Sequence, residues 1–208
     1  MMLDRSAKKT PVASPKAMSG HFVDYCRRLS ATLEAFDWQP VTELADDLLD
    51  CARTGRQVFL AGNGGSAGNA VHLANDFLYA WSKQMGRGIR VNALPANSAI
   101  MSCLANDEGY DEVFSAQLSI HAEKDDVLLV FSGSGNSRNI LRALEEAQRL
   151  GMKSFAVLGF DGGKAKAMCD VPIHFAIDDM QIAEDVQLIL GHMIVQHLHA
   201  HRDSLGRP

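Results

Sequence analysis

The chain has 208 residues, 47% of them hydrophobic and 22% charged, with a formal net charge of -5. That size and balance describe an ordinary globular domain that can bury a core without disulfides or metal staples. The mild negative charge excludes a general nucleic-acid binder, which carries a basic stripe, and no apolar run approaches the ~18 residues of a membrane span.

Residues 1–20 hold Lys8, Lys9 and Lys16 but no apolar segment, so they read as a flexible N-terminal tail rather than a secretory signal. Residues 21–208 read as one domain. His21 to Phe36 carries Phe22, Tyr25, Cys26, Leu29 and Leu33 at helical spacing, and Val41 to Ala52 repeats the pattern with Val41, Leu44, Leu48 and Leu49. Gln57 to Ala61 is a short apolar strand that ends in Gly62-Asn63-Gly64-Gly65-Ser66, and a helix is predicted from Ala67 to Trp81. Arg90 to Leu94 is a second strand, Ser98 to Leu104 a short helix, Asn106-Asp107-Glu108-Gly109-Tyr110 a turn, and Glu112 to His121 a helix.

Asp126 to Phe131 is the clearest buried strand; it runs into Ser132-Gly133-Ser134-Gly135-Asn136-Ser137 and then a helix from Arg138 to Leu150, capped by Gly151. Lys153 to Gly159 and Asp170 to Phe175 are further strands, with a Gly162-Gly163 turn between them, and Met180 to Ala200 is a long terminal helix. Strands alternating with helices predict an α/β fold: a doubly wound, parallel, five-stranded sheet flanked by helices, with N-terminal helices in front. Cys26, Cys51, Cys103 and Cys169 are scattered without a CxxC pair, which points to reduced thiols and a cytoplasmic protein.

Two loops lie where a doubly wound sheet binds ligands, outside the carboxyl ends of its strands. Ser132 to Ser137 combines glycines that admit an anion, three hydroxyls and the free N–H groups of a helix start. It lacks the Lys of a P-loop and the third Gly of a dinucleotide fingerprint. Gly62 to Ser66 offers a second permissive backbone. Gly and Ser are common in any strand-to-helix turn, but two such loops in one small sheet favour phosphate binding.

His72 and Asp76 are four residues apart on one helical face and suit zinc or a shared proton. For this pair alone the polar edge of an amphipathic helix is the better reading. On the last helix Asp185 and His192 share a face, Glu184 and His192 less so, and His197, His199 and His201 read as a solvated helix end.

Together these motifs resemble the phosphoheptose isomerases, which belong to the sugar isomerase (SIS) domain group. The resemblance rests on Ala61-Gly62-Asn63-Gly64-Gly65-Ser66 with His72 six residues on, on Asn106 to Tyr110, on Ser132 to Ser137 and on the terminal helix with His192. It implies a SIS-type, flavodoxin-like sandwich. The implied reaction is aldose–ketose isomerisation of sedoheptulose 7-phosphate to D-glycero-D-manno-heptose 7-phosphate. This is the first step towards activated heptose, which serves lipopolysaccharide among other products. It further implies a homotetramer with active sites at subunit interfaces, a phosphorylated sugar as partner, and Zn2+ as cofactor.

Carried over residue by residue, the resemblance assigns substrate contacts to Asn63, Gly64, Gly65, Ser66, Asp76, Asn106, Asp107, Ser132, Gly133, Ser134, Ser137 and Glu184. Asp76, Glu184 and His192 would be catalytic, and His72, Asp76, Glu184 and His192 would hold the metal. Three positions depart from the family: Asp76 replaces its Glu, Glu184 its Gln, and Gly133 its Thr. Asp76 is one methylene shorter, a change of roughly 1 Å in reach, which Glu184 is expected to offset at the metal. The alternatives are an isomerase of another sugar phosphate, or a non-catalytic regulator; the tail over 1–20 is too short for a helix-turn-helix.

Overall fold

The computed structural model describes residues 20–80 and 88–201. The expected tail, apart from Gly20, and the end of the expected third helix at Trp81 lie outside the described residues. The chain forms two compact units, 1–35 and 36–208. The described part of the first is helix α1, Gly20–Glu34, which buries none of its residues and pairs Arg28 with Asp24 at 3.0 Å.

The second unit carries strands β1 (Gln57–Gly62), β2 (Arg90–Ala93), β3 (Val127–Ser132), β4 (Lys153–Leu158) and β5 (Val171–His174). Its helices are α2 (Gln39–Thr54), α3 (Gly64–Asn75), α4 (Ser98–Asp107), α5 (Ser115–His121), α6 (Arg138–Leu150), α7 (Ala165–Met168) and α8 (Met180–Ala200). All strand pairs are parallel, in the order β2-β1-β3-β4-β5. The doubly wound prediction therefore holds, and the flavodoxin-like order sets a topological switch point between β1 and β3.

Every residue of β3 is buried, which is why its sequence is continuously apolar rather than alternating. Phe59, Ala61, Leu128, Val130, Ala156 and Leu158 pack in one cluster with Phe114 and Leu118 around α5 and with Ile140, Ala143, Leu144 and Ala147 of α6. Alternation along the strands sends Val58, Leu60, Leu129 and Val157 to the other face, where α2, α3 and α8 lie. The start of the sheet is fixed by Asp126, which is 4% exposed. Its carboxylate accepts from the backbone N–H of Gln57 at 2.7 Å and of Glu123 at 2.9 Å.

Three boundaries differ from the sequence reading, each for a local reason. Helix α3 starts at Gly64 rather than Ala67, because Gly64 takes φ 55 and lets the glycine run become the first helical turn. Asn106 and Asp107 close α4 instead of forming a turn, and the chain reverses at Gly109, φ 98. The expected helix from Glu112 splits into a 3-10 turn, Tyr110–Glu112, and α5.

Candidate active site

At the switch point the two glycine-containing loops face each other across a cavity of about 210 Å³. Asn63, Gly64 and Ser66 line it from the β1 side, Ser132, Gly133, Ser134 and Ser137 from the β3 side, and Met180 and Glu184 from α8. The hydroxyls of the serine loop are oriented by backbone. Ser132 Oγ accepts from the Gly135 N–H at 3.1 Å and Ser134 Oγ from the Asn136 N–H at 3.3 Å. Each serine thereby keeps its O–H free to donate. Ser137 stands at the N-cap of α6 without a side-chain capping bond, so its hydroxyl is also available. These donors and the N-terminus of α6 suit a phosphate, with no lysine or arginine among the described residues of the lining.

The serine loop is held from behind. Gly133 O accepts from Gly159 N at 3.0 Å, Gly135 O from Ala165 N at 3.0 Å, and Asn136 Oδ1 from Lys164 N at 3.2 Å. At Gly133 the space of a Cβ is taken by Met180, whose Sδ would lie 2.7 Å away and whose Cε 3.2 Å away. A thioether thus stands where the family's threonine side chain would project.

Helices α3 and α8 run parallel in register. Glu184 covers Gly65, Asn69 Nδ2 donates to Glu184 O at 2.9 Å and to Gln187 Oε1 at 3.0 Å, and Leu73 covers Gly191. The last contact is close because Gly191 has no side chain; a Cβ there would lie 2.5 Å from Leu73 Cδ1. Directly beside that contact, this packing brings His72 Nε2 to 3.0 Å from His192 Nε2. Asp76 Oδ2 lies 3.3 Å from the first nitrogen and 3.5 Å from the second. The helix passes into a π-helical turn at Asp76–Ala80, and such turns recur at functional sites.

His72, Asp76 and His192 form a group with the spacing of metal ligands. Ligands ~2.0–2.1 Å from a tetrahedral zinc stand about 3.3 Å apart, which the three observed edges match. Two imidazoles and one carboxylate leave a fourth position for water or substrate, the pattern of a catalytic site. Glu184 does not join them. It stands eight residues before His192, about 12 Å of helix, and its carboxyl carbon lies 2.5 Å from where a Gly65 Cβ would be. Among the described residues of this one chain the donor group therefore holds three of the four expected positions, and Glu184 stands apart from it. Its place at the N-terminus of α3 suits its negative charge.

Of the expected substrate contacts, Asn63, Gly64, Ser66, Ser132, Gly133, Ser134, Ser137 and Glu184 line the cavity. Gly65 backs Glu184 and Asp76 belongs to the donor group. Asn106 and Asp107 do not reach the cavity. They sit exposed at the end of α4, where Asp107 accepts from Asn106 Nδ2 at 2.7 Å and from Cys103 Sγ at 3.4 Å. Those two bonds hold the Asp107 carboxyl below its usual range, and the same contact pushes the Cys103 thiol up.

Two residues near the cavity escaped the sequence reading, Met180 and Asn139, and Tyr110 entered it only as the end of the Asn106 to Tyr110 motif. Of the first two, Asn139 left a signal, as a polar residue beside the apolar stripe of its helix.

A phosphate-sized cavity at the switch point of a doubly wound sheet, with hydroxyl donors and a nearby His/Asp/His group, defines a sugar-phosphate protein of the SIS domain class. The family model described as SIS domain matches residues 21–159. Within that class the chain belongs to the phosphoheptose isomerase family. It is 35% identical over 176 residues to the phosphoheptose isomerase of Chlorobaculum parvum, covering 83% of each chain. It is 34% identical over 166 residues to that of Trichlorobacter lovleyi, covering 80% of this chain and 82% of the relative. The structure of the phosphoheptose isomerase from Francisella tularensis superposes with a TM-score of 0.80 at 26% identity, over 86% of this chain and 95% of that one.

Proposed function

We propose that the protein isomerises sedoheptulose 7-phosphate to D-glycero-D-manno-heptose 7-phosphate, with the phosphate in the serine cradle and the reacting carbons towards the His72–Asp76–His192 group. The observation that carries this reading is that α3 and α8 together bear both sites. About 12 Å of helix separates the cavity wall at Glu184 from His192. An extended seven-carbon chain with bonds of ~1.5 Å spans about 7.5 Å before its phosphate is added, so a long sugar phosphate suits the gap.

The reaction needs a base to take a proton from C1 of the ketose. The electron pair then forms the C1–C2 double bond of an enediol as the C2 carbonyl oxygen takes a proton; reprotonation at C2 with loss of the proton on the C1 oxygen leaves the carbonyl at C1. Ser132, Ser134 and Ser137 anchor the phosphate and supply binding energy remote from these carbons. His72, Asp76 and His192 would hold zinc, which when bound supplies Lewis-acid polarisation of the carbonyl oxygen. Asp76 and His192 flank the reacting carbons and are the groups placed to carry the proton, whereas Glu184 stands about 12 Å of helix away, at the phosphate end.

Val71, Leu78, Tyr79 and Met193 are exposed on the elements that carry the donor group. Such an apolar rim supports a homotetramer in which another subunit covers each site. Among the described residues no helix is long and apolar enough to cross a membrane. The four free thiols suit the reducing cytoplasm.

Purified protein incubated with sedoheptulose 7-phosphate, with zinc and after chelation, should give the aldose, and His192→Ala should abolish turnover while substrate still binds. Near-wild-type turnover by that variant would refute the assignment. Light scattering that reports a monomer would refute the tetramer.

A further inference from the structure

The orientation of one cavity residue is set by two residues outside the cavity lining. Asn63 Nδ2 donates to Asn139 Oδ1 at 2.8 Å, and Asn139 Nδ2 donates back to Asn63 Oδ1 at 2.8 Å. The Tyr110 hydroxyl donates to the same Asn63 Oδ1 at 2.9 Å. Asn139 is 2% exposed, in the first turn of α6 directly after the serine loop.

A primary amide has two N–H donors and two acceptor lone pairs. Both lone pairs of Asn63 Oδ1 are occupied, and one of its two N–H groups is used. One N–H remains. Turning the Asn63 amide alone would set oxygen against oxygen and nitrogen against nitrogen at Asn139, where no water replaces the lost bonds cheaply. The N-cap position of Asn63 adds to the point, since its side chain makes no capping bond and is committed elsewhere.

We propose that Asn139 and Tyr110 are positioning residues that hold Asn63 as a donor-only group, so that its remaining N–H meets an oxygen of the bound sugar phosphate. This rests on the sugar-phosphate reading of the cavity. It also changes the role of the Asn106 to Tyr110 segment: the residue that reaches the site within this chain is Tyr110, through Asn63, rather than Asn106 or Asp107. An oxygen of phosphate and an oxygen of the sugar would both accept this N–H, and the two are told apart by the choice of probe.

The test uses the full chain with Asn139→Asp, Asn139→Leu or Tyr110→Phe. Calorimetric binding of inorganic phosphate and of sedoheptulose 7-phosphate is measured beside Tm and steady-state kinetics. Both Asn139 variants should weaken sedoheptulose 7-phosphate at least 10-fold, and Tyr110→Phe 2- to 5-fold because the amide pair stays intact. KM should rise more than kcat falls. Equal weakening of inorganic phosphate places the N–H on a phosphate oxygen, and weakening of the sugar phosphate alone places it on a sugar oxygen.

A role in folding alone would lower Tm and leave both affinities of the folded protein unchanged, which overturns the proposal. If the Asn139 variants do not fold, Tyr110→Phe decides, since it removes one hydroxyl from an exposed ring; unchanged binding of both probes overturns the proposal. Wild-type protein that binds the probes but does not isomerise would sink the isomerase reading and leave this one standing. Wild-type protein that binds neither would sink both.

Discussion

Gly191→Ala tests how the donor group is built. Gly191 and Leu73 are both buried, and the new Cβ would lie 2.5 Å from Leu73 Cδ1 and 2.9 Å from its Cγ. Carbon atoms pack at ~3.5–4.0 Å, so α3 and α8 must separate or shift by about 1 Å. Overpacking of this kind costs about 1–3 kcal/mol, which for a chain of 208 residues lowers Tm by roughly 2–12 °C. The same shift opens the His72–His192 spacing from 3.0 Å beyond the about 3.3 Å edge of a tetrahedral site. Apparent zinc affinity should therefore fall at least 10-fold. Thermal melting in a chelator isolates the packing cost, and competition with a chromogenic chelator reads the metal. Leu73→Ala added to Gly191→Ala should recover much of the metal affinity. An unchanged Tm together with unchanged zinc affinity in Gly191→Ala would show that the helix contact does not set the ligand spacing.

Further outcomes follow from the same geometry. Glu184→Gln should keep the zinc affinity of the wild type, whereas Asp76→Ala should lose zinc; equal zinc loss in both would return Glu184 to the ligand set. Gly133→Thr should gain phosphate affinity only when Met180→Ala clears the space for its hydroxyl, so the double variant should bind several-fold tighter than Gly133→Thr alone; equal affinities would mean that the thioether is no obstacle. Asp107 raises the Cys103 thiol by accepting its S–H, so Asp107→Asn should lower that pKa and speed alkylation of Cys103 at pH 8, read by mass spectrometry. Burial pushes Cys51 up to about 12 and Cys169 up to about 11, and both should resist the reagent until the protein unfolds. Labelling of Cys51 at the rate of Cys103 would contradict that account.

The architecture was legible because its signals are local. β3 reads as a strand from Val127 to Phe131 since both its faces are buried, and α6 is bracketed by Ser137 and by Gly151 with φ 73. The serine loop was legible for the same reason: strand, glycines and helix are adjacent in the chain. The His72–Asp76 pair was readable from its spacing, because four residues make one helical turn.

What could not be read depended on how separate segments pack. The sequence places Glu184, Asp185 and His192 on one helix but not which of them meets His72. That follows from the register in which Gly191 accepts Leu73, and the register puts Glu184 over Gly65. Gly133 reads as the loss of a hydroxyl, yet its meaning depends on Met180, 47 residues away. Asn139 meets Asn63 only because β1 and β3 are neighbours in the sheet. Asn106 and Asp107 were drawn towards the cavity by their motif, and the continuation of α4 to Asp107 carries them away from it.

The latch behind the serine loop has a thermodynamic consequence. Bonds from Gly159, Lys164 and Ala165 fix the loop from its back, on the side away from the cavity lining. The conformational entropy of the loop is surrendered when the chain folds, not when the ligand arrives. Association with phosphate then carries little ordering cost. Selectivity among phosphorylated sugars must accordingly come from the cavity walls, Met180 and Glu184 among them, rather than from any yielding of the cradle itself.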